Sequence, residues 1–198
     1  MLNKYVVTFL IICSSLLSCR TAEFGFKVIN VNGMVYDFVN RPISNCNVLL
    51  NEKHWVETDI NGRFSIAKVP VGNYKIQIIK KGYETYTGEV HIKDGQQIIY
   101  IRTPSLQQLL DLADNALERN NPEEASSYIH RALSINTMTT ELLFYAAVVE
   151  FRLGYIREAF DYLQEIKSSG VRDIYIEQFI RDIQNLEGTS SEVSRSKK

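Results

Sequence analysis

The chain has 198 residues, 45% hydrophobic and 11% aromatic, enough apolar material for one large or two small folded domains. A formal net charge of −1 argues against a nucleic-acid partner held by bulk charge. That total conceals an asymmetry that suggests two domains: residues 20–103 carry 11 Lys+Arg against 8 Asp+Glu, net +3, and residues 104–187 carry 7 against 14, net −7.

Residues 1–18 read as a targeting segment. Lys4 supplies a positive start and Val6 to Leu17 an apolar run. Arg20 interrupts the run before the roughly 20 apolar residues that a spanning helix needs. Leu16-Leu17-Ser18-Cys19 resembles the lipobox of bacterial lipoproteins, with leucine three places before the cysteine and a small residue just before it. The resemblance implies loss of residues 1–18, acylation of Cys19 and a lipid anchor in the envelope of a double-membraned bacterium. Each buried methylene contributes about 0.8 kcal/mol, so two or more acyl chains hold stably to a bilayer. Arginine follows Cys19 where aspartate serves as an inner-membrane retention signal, which points to the outer membrane. Residues 19–25 form a lipidated tether, and its six residues from Arg20 to Gly25, fully extended, reach only about 20 Å, so the first folded unit is expected close to lipid. Cys13 leaves with the leader, so Cys46 is unpaired and is expected as a small buried hydrophobe.

Residues 26–102 are strand-like. Val28, Ile29, Val31 and Val35 are β-branched, and Tyr74, Ile76 and Ile78 alternate with polar neighbours, as do Phe64 and Ile66. Val90 with Ile92, and Ile98 to Ile101, read as two more strands. Asn61-Gly62 between Trp55–Ile60 and Arg63–Lys68 predicts a hairpin, because such a turn needs positive φ at both central positions. Strands at this spacing predict an antiparallel β-sandwich. Gly33-x-Val35-x-Asp37, Pro42-Ile43, Val48, Thr58-Asp59-x-Asn61-Gly62-x-Phe64, Val69-Pro70-x-Gly72-x-Tyr74 and Lys81-Gly82-Tyr83 follow in order. This series resembles the carboxypeptidase regulatory-like domain, a transthyretin-like sandwich, and its last third is similar to PEGA modules. The resemblance implies a non-catalytic domain.

No chemistry-bearing constellation appears. His54, His91 and His130 lack zinc-ligand spacing, and there is no nucleophile elbow or phosphate loop. Asp59-Ile60-Asn61-Gly62 has neither the glycine nor the glutamate of a calcium loop and reads as a turn. No enzyme activity, metal or cofactor is expected. Trp55, Tyr83 and Tyr86 could form an aromatic platform for sugar, or could simply pack.

After Thr103-Pro104 the hydrophobic period changes from two to 3.6. Ser105 with Gln108 fits a capping box, and Leu106, Leu109, Leu110, Ala113 and Leu117 share one helical face. Asn121-Pro122-x-Glu124 starts a second helix with the stripe Ala125, Ile129, Ala132 and Leu133. The design recurs after 34 residues: Leu109, Leu112, Ala113, Ala125 and Ile129 align with Leu143, Ala146, Ala147, Ala159 and Leu163. This resembles the tetratricopeptide repeat, with repeats at about 106–139 and 140–173 and a capping helix within a helical domain of 105–187. Gly188 is expected to stop that helix and residues 188–198 to form a disordered tail.

Two repeats are fewer than such arrays need, so further burial is expected from the sandwich, another copy of the chain or a partner. The resemblance places Leu110, Asp114 and Leu117 from the first repeat on the concave face. Phe144, Val148, Phe151 and Arg152 from the second join them, with Tyr175 from the cap. That apolar groove is the expected binding surface for an envelope protein or peptide, unless its aromatics pack on the sandwich or the cap helix. The sequence thus reads as a lipid-anchored adaptor or assembly factor, with a glycan-binding surface lipoprotein as the alternative.

Overall fold

The computed structural model describes residues 27–135 and 138–195. The leader, Cys19 and the tether lie outside the described residues. Seven strands form two facing sheets: β1 (Val28–Tyr36), β2 (Asn47–Leu50), β3 (His54–Glu57), β4 (Arg63–Pro70), β5 (Gly72–Ile79), β6 (Tyr86–Ile92) and β7 (Ile98–Arg102). The orders are β4-β1-β7 and β3-β2-β5-β6. Alternate residues point inward: Val31 and Val35, Val48 and Leu50, Phe64 and Ile66, Ile76 and Ile78, Ile99 and Ile101 share one core. This is the β-sandwich expected from the alternation.

Three details differ from expectation. β2 has no alternating run long enough to announce itself, yet Val48 and Leu50 are wholly buried. β7 pairs with β1 in parallel, so the sandwich is mixed rather than antiparallel. β7 follows β6, which lies in the other sheet, so no hairpin turn joins it to β1 or sets their relative direction.

Asn61-Gly62 makes a turn but closes no hairpin. β3 pairs with β2 in one sheet, and β4 with β1 in the other. The Asp59 carboxylate accepts from the amides of Asn61 and Arg63, both at 2.8 Å. Beside it the Thr58 hydroxyl donates to the Ile43 carbonyl at 2.6 Å and accepts from the Cys46 amide at 3.0 Å. The Val35 amide donates to the Gly62 carbonyl at 2.8 Å. These bonds carry the chain from one sheet to the other.

Five helices follow: α1 (Leu106–Glu118), α2 (Pro122–Leu133), α3 (Thr140–Leu153), α4 (Ile156–Ser168) and α5 (Ile174–Arg195). The capping box forms as expected, with the Ser105 hydroxyl accepting from the Gln108 amide and the Gln108 side chain accepting from the Ser105 amide, each at 3.2 Å. Asn121 caps α2, and Pro122 occupies its first turn. The 34-residue offset is visible in the packing: Leu109, Ala113, Ala125 and Ile129 are buried, and so are Leu143, Ala147, Ala159 and Leu163. α3 is apolar on two sides, as a central helix must be. Its Leu142, Ala146 and Val149 belong to one core, and its Leu143 and Ala147 to the next. α5 continues through Gly188 to Arg195, contrary to the expected stop and disordered tail. Once a helix is nucleated, one internal glycine costs only about 1 kcal/mol.

Strands and helices join through a polar junction. The Leu106 amide donates to the Gly82 carbonyl at 2.9 Å, and the Glu84 amide to that of Pro104 at 3.0 Å. Gln108 reaches across to buried Asp37 at 2.9 Å. Arg131 on α2 grips the Glu84 carboxylate with two bonds of 2.8 Å and lies over the Phe38 ring. The sandwich core stays separate from the two helical cores, so the sandwich orients the helices without completing their interior.

Candidate partner-binding site

The expected groove divides when placed in the structure. Leu110 is 1% exposed, because α1 packs against both α2 and α3 and so buries two faces. Leu117 is half-buried in that same core. Leu110 is therefore closed to a partner, which corrects its place in the groove mapping by position. Asp114 is exposed and Val148 half-buried. Phe151 stacks edge-to-face on Phe179 of α5, with centroids 5.2 Å apart, and serves the cap interface. Arg152 is exposed near the C-terminal end of α3 and donates to the Asn120 side chain at 2.7 Å.

Phe144 and Tyr175 remain together. They line a mainly apolar cleft of about 540 Å³ with Thr140, Glu141, Asp173 and Ile176. Two helix starts shape it. Thr139 caps α3 by accepting from the Leu142 amide at 3.1 Å. The Asp173 carboxylate accepts from the amides of Tyr175 and Ile176 at 2.8 and 3.2 Å, setting the first turn of α5. Ile176 faces inward while Tyr175 is 79% and Ile174 72% exposed. Phe144 is half-buried, its ring edge-to-face with Phe179 and Tyr145. Met138 is also exposed, two residues before α3.

The sequence reading named Phe144 and Tyr175, which the structure brings to one cleft, and did not name Ile174, Ile176 or Phe179 near them. The stripe Ile176, Phe179, Ile180 and Ile183 was readable as the inner face of α5. Ile174 was not, since exposure at a helix start depends on what precedes it.

Trp55 and Tyr86 do not come together on the sandwich. Trp55 is 65% exposed on β3, whereas Tyr86 lies on β6 at the opposite edge of that sheet, three strand spacings or about 14 Å away. Tyr83 and Tyr86 pack against the core. An open depression of about 640 Å³ beside Asn32, Met34, Arg63 and Ile98 includes Asp59, whose carboxylate already holds its own turn. Among the described residues no group of three or more His, Cys, Asp or Glu converges as a metal site. Among those residues, too, no helix is long and apolar enough to cross a membrane.

Residues 30–101 match the carboxypeptidase regulatory-like domain, so the sandwich carries the resemblance read from its motifs. No curated protein matches the chain. Among solved structures, an interface mutant of a type II cohesin–X-dockerin complex from Acetivibrio cellulolyticus is 17% identical, covering 42% of this chain and 71% of that one, with a TM-score of 0.35. The Bacillus anthracis TIE protein is 17% identical over 39% of this chain and 16% of its own, TM-score 0.33. Catechol 1,2-dioxygenase from Acinetobacter is 11% identical over 36% and 38%, TM-score 0.30. Likenesses this slight carry no argument about activity or partners.

Proposed function

We propose that this protein is a non-enzymatic interaction module of the bacterial envelope, anchored by lipid on Cys19, most simply at the outer membrane. The sandwich is its spacer and the tetratricopeptide-like helices carry its binding surface. The observation supporting this reading is the cleft at the start of α5, where exposed Tyr175 stands beside half-buried Phe144 and the preceding residue, Ile174, is exposed as well. A cap helix has no structural need for two large apolar side chains in water. Elsewhere on α5 the exposed residues through Asn185 are polar, including Glu177, Gln178, Arg181 and Asp182, as suits the outer face of a terminal repeat. Clustered exposed apolar groups mark docking surfaces.

The test is crosslinking in cells followed by purification from detergent-solubilised envelope, comparing wild type with Ile174→Ser/Tyr175→Ser. Those two side chains are mostly solvent-exposed, so the fold tolerates their loss, unlike that of Phe151. A defined envelope protein captured by wild type and lost in the variant is the expected result. Equal capture by both would remove the cleft from the binding surface.

A further inference from the structure

Beside the apolar cleft lies a set of carboxylates from two helices. The Gln107 side-chain nitrogen is 3.2 Å from Asp111 Oδ1 and 3.4 Å from Glu141 Oε1, so one amide draws α1 and α3 acids together. Asp114, one turn beyond Asp111, is exposed on α1. Tyr145 sits among them: burial first, then Asp114, Glu141 and Asp111, raise its phenol above the ordinary value. Glu141 and Asp173 also line the cleft, which makes the acidic and apolar surfaces continuous.

Among the described residues none of these four carboxylates is ion-paired. The ion pairs present join Arg119 to Glu124, Arg131 to Glu84 and Arg181 to Glu177. The local excess agrees with the net −7 of residues 104–187. A neutral or acidic ligand covering this rim would desolvate carboxylates that hold hydrogen bonds but no cation, which is costly. A cationic ligand compensates them, and the neighbouring aromatic rings favour it further.

We propose that the surface formed by α1, α3 and α5 takes a cationic amphipathic peptide segment of a partner protein. One apolar residue fills the Phe144–Tyr175–Ile176 cleft, and an adjacent lysine or arginine stands among Asp111, Asp114 and Glu141. This rests on the cleft being the docking site. The same charge disfavours an anionic membrane surface as the occupant.

The test is selection of random displayed peptides on the full-length protein in detergent micelles, followed by binding of the enriched peptide to three proteins. These are wild type, Asp111→Asn/Asp114→Asn/Glu141→Gln and Ile174→Ser/Tyr175→Ser, with thermal melts confirming that each is folded. Selection should enrich sequences that join large apolar residues to lysine or arginine. Their affinity should fall about tenfold or more in the neutralised variant, and also between about 0.05 and 0.5 M salt. Neutral or acidic peptides that bind wild type and the neutralised variant alike, but not Ile174→Ser/Tyr175→Ser, would overturn the charge assignment and leave the cleft standing. No enrichment on wild type over Ile174→Ser/Tyr175→Ser would overturn both.

Discussion

Cys46 lies wholly inside the sandwich with its sulfur 3.6 Å from the Ile79 carbonyl, and burial pushes its thiol up to about 11. At pH 8 roughly one thiol in a thousand is ionised, so native protein should resist a thiol-specific disulfide reagent that labels unfolded protein within minutes. The raised value also sets a pH dependence. The stability it represents is intact below about 9, the ordinary thiol value, and is lost as pH climbs to about 11, costing on the order of 2 kcal/mol. Tyr83, Tyr145 and Tyr162, whose phenols burial also raises, act in the same direction. Urea melts from pH 8 to 11 should show the decline, and Cys46→Ala should flatten part of it. Two glycines offer a second residue-scale contrast. Gly154 ends α3 at φ +87 with open space where a Cβ would stand, whereas a Cβ on Gly62, at φ +71, would meet the Val35 carbonyl oxygen at 2.5 Å. Gly154→Ala should therefore cost about 1 kcal/mol, and Gly62→Ala at least about 2 kcal/mol, by denaturant titration. At this scale the sequence was legible where one residue decides the outcome. Cys46 as a buried hydrophobe and Asp59 as a turn former are such residues. Leu110 was misplaced because its fate depends on how many helices surround α1, and spacing within one helix does not report its neighbours.

The starts of α1 and α2 were the most legible features, since a capping box and an Asn-Pro start are local chemistry. Strand pairing was not. Asn61-Gly62 encodes a turn and nothing about which sheet receives the next strand; Thr58 and Val35, bonded on either side of it, decide that. The parallel entry of β7 likewise depends on a neighbour far earlier in the chain. The contact between sandwich and helices was equally hidden, because Glu84 and Arg131 look like ordinary surface residues in sequence. Their paired bonds raise the Arg131 guanidinium, the hydrogen bonds to Glu84 being the main cause. Both side chains are part-exposed, so solvent screens the pair and its coupling should be only about 1 kcal/mol. A double-mutant cycle with Glu84→Ala and Arg131→Ala measures it directly. Coupling within error of zero would mean that the backbone bonds at Gly82 and Pro104 hold the junction alone.

For the whole molecule, the proposed division of labour has the sandwich set direction and the helices carry recognition. Gln108 caps α1 and bonds Asp37 at once, so the start of the helical domain is built into the edge of the sandwich. A hydrogen-bonded junction of this kind suits the arrangement proposed for a chain anchored at Cys19, in which one cleft is presented away from a surface. That anchor predicts that Cys19→Ala shifts the protein from the membrane to the soluble fraction of lysed cells. Retention in the membrane fraction would require another attachment. The central claim, that recognition lies at the start of α5 and not on the sandwich, is tested most directly by placing a photo-crosslinking amino acid at Tyr175 or at Trp55 in living cells. A discrete adduct from position 175 and none from position 55 is the predicted result. An adduct from position 55 alone would contradict it and move the binding surface to the edge of the sandwich.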